Sequence, residues 1–167
     1  METILLKSNE VENHVILTLY AEFLSYLGEI DLSISSFKQL NQVQPDDPVV
    51  LNKLGELYYR SGDKTQAEKI FMKTYALSMD LYFPELLNNL MVLFWETGRK
   101  EMAFKAAKDG LEMTNGLNVN ILINYADILS SVNKSKDALD LLENHYSFSK
   151  DDRILSEIER LKNKVSK

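Results

Sequence analysis

The sequence contains no cysteine and few residues that break helices. Its 167 residues include six glycines and three prolines. Without cysteine the chain can form no disulfide framework, no thiolate metal site and no cysteine nucleophile, and the cellular compartment is left open. The N-terminus also lacks the basic segment, the uninterrupted apolar run and the small-residue cleavage site of a signal peptide.

No hydrophobic run is long enough to cross a bilayer. Residues 15–27 are the most apolar stretch, but Glu22 interrupts them and they are too short to span a membrane. We therefore predict a cytoplasmic protein, and the alternative is a soluble domain cut from a larger secreted or membrane-tethered protein. The net charge of −6 and the pI of about 5.0 argue against binding nucleic acid or an anionic membrane over a broad surface.

What the chain does contain is a repeat. Aligning the sequence on Gly28, Gly62, Gly98 and Asn133 gives four blocks of 34 residues. Apolar residues recur at the fourth, seventh and eleventh positions of each block, and small or apolar ones at the twentieth and twenty-fourth. Spacings of three and four place the first three positions on one face of a first helix and the other two on a second helix. The blocks are 14–47, 48–81, 84–117 and 119–152.

Individual residues fit this scheme. Gly62 stands where the first helix of a pair ends and a left-handed residue is needed, and Asn133 can fill the same role in the last block. Gly55 lies within a helix, where glycine costs about 1 kcal/mol relative to alanine. We interpret it as a point of close approach by a neighbouring helix. Asp47 and Pro48 predict an N-cap and a first helical residue.

The two ends of the array are also predicted. Residues 153–167 form a capping helix, because Ile154, Leu155, Ile158, Leu161 and Val165 fall on one apolar stripe that can cover the last repeat. Residues 1–13 are predicted as an N-terminal extension or cap, with Ser8 as a candidate N-cap of the first long helix.

The pattern resembles the tetratricopeptide repeat family over residues 14–152. The second block resembles it most closely, through Leu54, Gly55, Tyr58, Ala67 and Phe71. The usual proline near the end of a repeat is present only as Pro45. The resemblance implies an all-α, right-handed superhelical solenoid of four antiparallel helix pairs plus a C-terminal capping helix. It also implies a non-catalytic protein–protein interaction module.

In this family the first helices line a concave groove that binds peptides. Asn89 and Asn124 occupy the position where some members carry an asparagine ladder. A side-chain amide both donates and accepts, so we hypothesise that these two bind the backbone of an extended peptide, the alternative being that they are merely solvated. Tyr59 and Trp95 are candidate anchors, although the tryptophan could instead pack between repeats. The candidate groove residues are Asn52, Lys53, Glu56, Tyr59, Arg60, Asn88, Asn89, Trp95, Asn120, Asn124 and Asp127.

The charge of the groove positions favours a neutral or basic partner segment. Over the groove positions of all four repeats, Lys53 and Arg60 are outnumbered by five acidic residues, which are Glu22, Glu56, Glu85, Glu96 and Asp127. A second hypothesis is a structural or assembly domain that self-associates or scaffolds a complex through its ends or convex face. Val15, Leu19 and the stretch from Ile4 to Leu6 could form such an edge.

No catalytic, metal or cofactor site is predicted. His14 and His145 lie at opposite ends of the repeats, and neither has a partner at ligand spacing. The chain has no phosphate-binding glycine loop and no nucleophile with a credible base. We therefore expect neither an enzyme nor a cofactor.

Overall fold

The computed structural model describes residues 2–78 and 83–165, and the regular secondary structure in these two ranges is entirely helical. Nine α-helices lie in them, two for each sequence block and one after the fourth. The predicted all-α fold of four helix pairs with a C-terminal helix is thus confirmed. The helices are α1 Glu2–Leu27, α2 Ile30–Val43, α3 Pro48–Arg60, α4 Lys64–Leu77, α5 Pro84–Glu96, α6 Lys100–Met113, α7 Val119–Ser131, α8 Ser135–Ser149 and α9 Asp152–Val165.

Helix α1 is longer than the repeat pattern predicts. It begins at Glu2 and runs through residue 13, so Ser8 lies inside the helix and is not its N-cap. Residues 1–13 contain neither glycine nor proline, so nothing in them ends a helix. The side chains of residues 2–12, with the predicted edge at 4–6, lie outside the described part of the chain. The same holds for the ends of predicted segments that fall at 79–82 and 166–167.

The turn within each helix pair contains a residue with left-handed backbone. The φ angles are 83° at Gly28, 88° at Gly62, 79° at Gly98 and 62° at Asn133. Glycine adopts this conformation without a Cβ clash, and asparagine is the residue that replaces it most readily. Asn133 therefore takes the role predicted for it.

Helix α3 starts as its sequence predicts. The Asp47 carboxylate accepts hydrogen bonds from the backbone N–H groups of Val49 and Val50 at 2.8 and 3.2 Å. Pro48 is the first helical residue, where its missing N–H costs nothing. A cap of this kind contributes about 1 kcal/mol.

The chain divides into two compact units, residues 1–81 and 82–167. The boundary falls where Tyr82 and Phe83 interrupt the 34-residue spacing of the blocks. Unit 1 holds α1 to α4, and unit 2 holds α5 to α9.

The core of unit 1 forms where α2 packs on α3. Phe37 and Leu40 of α2 share one buried cluster with Val50, Leu54 and Leu57 of α3. These side chains follow the helical spacing read from the sequence, so burying them orients both helices.

Helices α3 and α4 approach each other closely at Gly55. A Cβ atom added to Gly55 would lie 2.4 Å from a ring carbon of Phe71 in α4. This distance is far inside van der Waals contact, so the ring occupies the space that a methyl group would need. The interpretation of Gly55 as a packing residue is confirmed.

Helix α9 covers the last helix pair of unit 2. Ile154, Ile158 and Leu161 are buried and form one cluster with residues that include Leu122 of α7 and Leu142 of α8. The predicted capping role of this helix is confirmed.

The seventh position of the first repeat is exposed. Tyr20 shares the repeat pattern of Leu17 and Leu24, yet its side chain is 53% exposed, whereas Leu24 is buried. In the second repeat the seventh position, Leu54, is packed against α2, the helix that comes before the pair. In the described part of the chain, Tyr20 is not covered in this way.

Candidate protein-binding surfaces

Unit 1 contains a cavity of about 410 Å³ at the predicted groove positions. Residues of α1, α2 and α3 contribute to its walls, so it lies where the first helices of the first two repeats meet. The lining residues are Glu22, Ser25, Tyr26, Phe37, Lys53, Glu56, Leu57 and Arg60.

Neighbouring groups hold the polar side chains of this cavity. The Lys53 ammonium lies 3.1 Å from the Glu56 carboxylate. The Arg60 guanidinium donates to the Ser25 hydroxyl at 2.6 Å and to its backbone carbonyl at 3.0 Å. With Glu22, the cavity thus carries two acidic and two basic groups, and their formal charges cancel. The structure brings Lys53, Glu56 and Arg60 together in this cavity.

Asn52 is not a surface residue, contrary to prediction. Its side chain is 3% exposed and donates from Nδ2 to the Glu56 carboxylate at 2.9 Å. The two residues are one helical turn apart in α3, so the amide is held against its own helix. Tyr59, the last of the five predicted groove residues of α3 to be placed, is half-buried.

In unit 2 an asparagine of α5 is joined to an asparagine of α7. The Asn124 amide nitrogen donates to the Asn88 carbonyl oxygen at 2.8 Å. Both side chains are half-buried, as is that of the adjacent Asn89, while Asn120 is exposed. Four of the predicted groove asparagines are thus on α5 and α7, and two of them bond directly to each other.

Asp127 is paired with a basic residue that was not predicted from the sequence. Arg160 of α9 donates to the carboxylates of both Asp127 and Glu157. Burial raises the pKa of Asp127, and the nearby Glu157 charge raises it further, while Arg160 opposes both effects. Lys164 of α9 also donates to the Ser130 hydroxyl at 3.3 Å. The capping helix therefore brings positive charge to this end of the α7 surface.

Arg160 and Lys164 could have been found from the sequence. Both lie on the polar side of the stripe that predicts α9, four residues apart, and so on one face of the helix. The predicted packing of α9 on the fourth repeat places this face near the end of α7.

Trp95 belongs to a row of aromatic rings in unit 2. Its ring meets Phe104 of α6 edge-on with 6.3 Å between centroids, and Phe104 meets Tyr125 of α7 in the same way at 5.9 Å. The Lys100 ammonium lies 5.5 Å from the Trp95 ring centroid. The tryptophan is half-buried, so its packing role accompanies any role at the surface.

The histidines lie in packed surroundings. His145 is buried and meets the Phe148 ring at 5.1 Å. His14 borders a second cavity of about 300 Å³, and its Nε2 is buried without a hydrogen-bond partner among the described residues. In residues 2–78 and 83–165, no three His, Asp or Glu side chains are grouped closely enough to hold a metal ion. None of the helices described here has the length and apolar character needed to cross a membrane.

Comparison with known proteins agrees with the repeat. A sequence model of the family described as tetratricopeptide repeat matches residues 49–78, which is most of the second block. None of the curated proteins matches the sequence significantly.

Several solved structures share the fold at low sequence identity. PilF of Pseudomonas aeruginosa is 14% identical with a TM-score of 0.78, over 95% of this chain and 71% of PilF. The TPR protein TTC0263 of Thermus thermophilus is 16% identical with a TM-score of 0.76, over 91% of this chain and 82% of that one. A chain of the APC/C hetero-tetramer Cut9–Hcn1 is 19% identical with a TM-score of 0.73, over 87% of this chain and 29% of that one.

The 34-residue repeats, the paired helices, the left-handed turns and the family match at residues 49–78 agree with one another. The second block matches the tetratricopeptide repeat model, and the chain shares its fold with solved tetratricopeptide repeat proteins.

Proposed function

We propose that the chain is a non-catalytic, cytoplasmic protein-binding module that holds an extended peptide segment on the α5–α7 surface of unit 2. The observation that carries this proposal is the hydrogen bond between Asn124 and Asn88. The family supports protein binding in general, and one of the similarly folded chains is part of the Cut9–Hcn1 hetero-tetramer.

The chemistry of the asparagine pair matches a peptide backbone. An amide side chain has two N–H donors and one carbonyl acceptor. The bond between the two residues uses a donor of Asn124 and an acceptor site of Asn88, which leaves the Asn88 NH₂ group and the Asn124 carbonyl oxygen for a ligand. One peptide unit offers the complementary carbonyl and N–H. Because the two helices fix both amides, little side-chain entropy remains to be lost on binding.

This pair replaces the pair expected from the sequence, Asn89 with Asn124. The surroundings suit a neutral or basic segment rather than an acidic one. Asp127 is balanced by Arg160, and Glu85 of α5 is exposed.

A phage-displayed library of random dodecapeptides, selected on the immobilised protein, supplies a probe for titration calorimetry. We expect the double variant Asn88→Ala/Asn124→Ala to bind the selected peptide about 5- to 150-fold more weakly, the scale of two net hydrogen bonds. Asn144→Ala, an exposed asparagine on α8, is the matched control and should bind like the parent.

Methylating the peptide's backbone nitrogens one at a time separates backbone from side-chain recognition. Methylation at one position should weaken binding to the parent protein by as much as the double variant does. The same methylated peptide should bind the double variant only a little more weakly than the unmethylated peptide does. Thermal melts of each variant check folding. Unchanged binding by a folded double variant would contradict the proposal.

A further inference from the structure

The first helix of the second repeat buries one face under the helix that precedes it. Val50, Leu54 and Leu57 occupy the third, seventh and tenth positions of the block and are 4, 3 and 2% exposed. They share a core cluster with Phe37 and Leu40 of α2. An amphipathic second helix is therefore what covers these positions inside the array.

The same positions in the first repeat are apolar and uncovered. Ile16, Tyr20 and Phe23 are 64, 53 and 56% exposed, and Leu27 continues the line by one further turn at 55%. Spacings of four, three and four place them in a single stripe along α1. Val15, Leu19 and Tyr26 border the stripe and are also exposed.

A continuous stripe of this kind differs from scattered surface hydrophobes. Exposed apolar patches of this extent on a soluble chain mark interaction sites. The stripe from Ile16 to Leu27 is about 17 Å long at 1.5 Å per residue. A helix of about 14 residues, the length of α2, is enough to cover it.

The segment that carries the stripe is acidic. Residues 8–37 contain no lysine and no arginine but five acidic residues. Three of these, Glu22, Glu29 and Asp31, have exposed side chains in the structure. Lys53 and Arg60 of α3 share a cavity with Glu22 and Tyr26, and Arg60 contacts Ser25 on the side of α1 that faces α3.

We propose that the exposed face of α1, from Ile16 to Leu27, docks an amphipathic helix of a partner protein that carries Lys or Arg beside its apolar stripe. The apolar side chains supply the buried area, and the acidic border selects the charge of the partner and its direction along the face. This surface is separate from the asparagine pair of unit 2 and does not depend on it.

The acidic border argues against two other occupants. In a symmetric dimer the same patch meets itself, so the acidic groups of both copies would lie across one interface. Helices that lie on membranes carry Lys and Arg on their polar face, and the cytoplasmic leaflet is negatively charged. A basic partner helix avoids both kinds of charge repulsion.

A focused peptide library tests the charge selection directly. Each member is a 16-residue helix with leucine fixed at four positions of one face, and the flanking positions are randomised among Lys, Gln and Glu. Selection on the immobilised full chain should enrich Lys over Glu at the flanks by at least tenfold. Equal frequencies of Lys and Glu at the flanking positions, or an excess of Glu, would overturn the proposal.

Binding of the best peptide is then measured by fluorescence anisotropy. The triple variant Ile16→Ser/Tyr20→Ser/Phe23→Ser should weaken it at least tenfold. The variant Leu117→Ser, at an exposed leucine of unit 2, should leave it unchanged. Because the three α1 side chains are exposed, the triple variant should keep the parent's circular dichroism. Equal binding by the folded triple variant would overturn the proposal.

Two further measurements decide against the alternatives. Sedimentation of the chain from 5 to 200 μM should show one mass throughout, and neutral or anionic phospholipid vesicles should not co-sediment with it. If the parent dimerises and the triple variant does not, the face binds a second copy of the chain. If the parent binds vesicles and the triple variant does not, the face binds lipid. Either result would show that the proposed partner is wrong.

Discussion

At the scale of the residue, Gly55 shows how one missing methyl group sets the distance between two helices. Replacing it by alanine would place a Cβ atom 2.4 Å from the Phe71 ring. Overpacking costs typically 1–3 kcal/mol, and the better helix propensity of alanine offsets about 1 kcal/mol of this. We expect Gly55→Ala to lower the free energy of unfolding by up to about 2 kcal/mol in urea denaturation.

The control for this prediction replaces the Phe71 ring by a smaller side chain. In a Phe71→Leu background the clash is relieved, so adding Gly55→Ala should cost much less than it does in the parent. If the two backgrounds show the same cost, helix spacing does not depend on this contact.

Asp127 makes the stability depend on pH in a predictable direction. Its pKa is raised in the folded chain, first by burial and then by Glu157. The folded state therefore retains a proton that the unfolded state has lost, and stability falls as pH rises from the ordinary Asp pKa through the raised one. Asp127→Asn should flatten that part of the curve. The change should stay below about 1 kcal/mol, because the carboxylate is half-exposed and pairs at the surface.

The measurement is the free energy of unfolding between pH 3.5 and 7 for the parent and the variant. An identical slope in both would show that Asp127 titrates alike in the folded and unfolded chain.

At the scale of the element, α9 closes the hydrophobic core of unit 2. Ile158 is 4% exposed within the cluster that joins α7, α8 and α9. Truncating a buried isoleucine to alanine costs about 2–5 kcal/mol. We expect Ile158→Ala to lower the free energy of unfolding within this range, as measured by urea denaturation.

Deleting residues 151–167 should cost more than this single truncation, because it uncovers Leu122 and Leu142 together. Arg153→Ala, on the exposed side of α9, is the control and should change stability by less than about 0.5 kcal/mol. A melting curve unaffected by the deletion would show that the helix does not close the core.

Helices and turns were predictable because their signals are local. The spacing of Leu54 and Tyr58 predicts a helix face, and Gly62 and Asn133 predict the left-handed turns, without knowledge of the rest of the chain. The exposure of Tyr20 was not predictable in this way. The pattern specifies a face that needs covering, but whether a helix covers it depends on what precedes the repeat.

The candidate site was less predictable than the fold. Sequence register placed Asn88 and Asn124 on neighbouring first helices, but not the hydrogen bond between them, which depends on rotamers and helix offset. For the same reason Asn52 was expected at the surface, although it is buried against Glu56. The pairing of Arg160 with Asp127 required knowing which face of α9 meets α7.

At the scale of the whole molecule, the division into two units can be tested by fragmentation. Unit 2 has a hydrophobic cluster of its own, built from α7, α8 and α9. We expect the fragment 83–167 to give a helical circular dichroism spectrum and a cooperative urea transition. A fragment without a cooperative transition would show that unit 2 needs unit 1 to fold. The full chain under the same conditions is the reference.

A partner that binds the exposed face of α1 would make the stability of unit 1 depend on the concentration of that partner. A ligand that binds only the native state adds RT ln(1 + [L]/Kd) to the free energy of unfolding, about 2.7 kcal/mol at a hundredfold excess over Kd. Differences of this size change the unfolded fraction that proteases remove, and hence the steady-state level of a protein in the cell. The stripe from Ile16 to Leu27 would thus match the amount of this chain to the amount of its partner, with surplus copies degraded first.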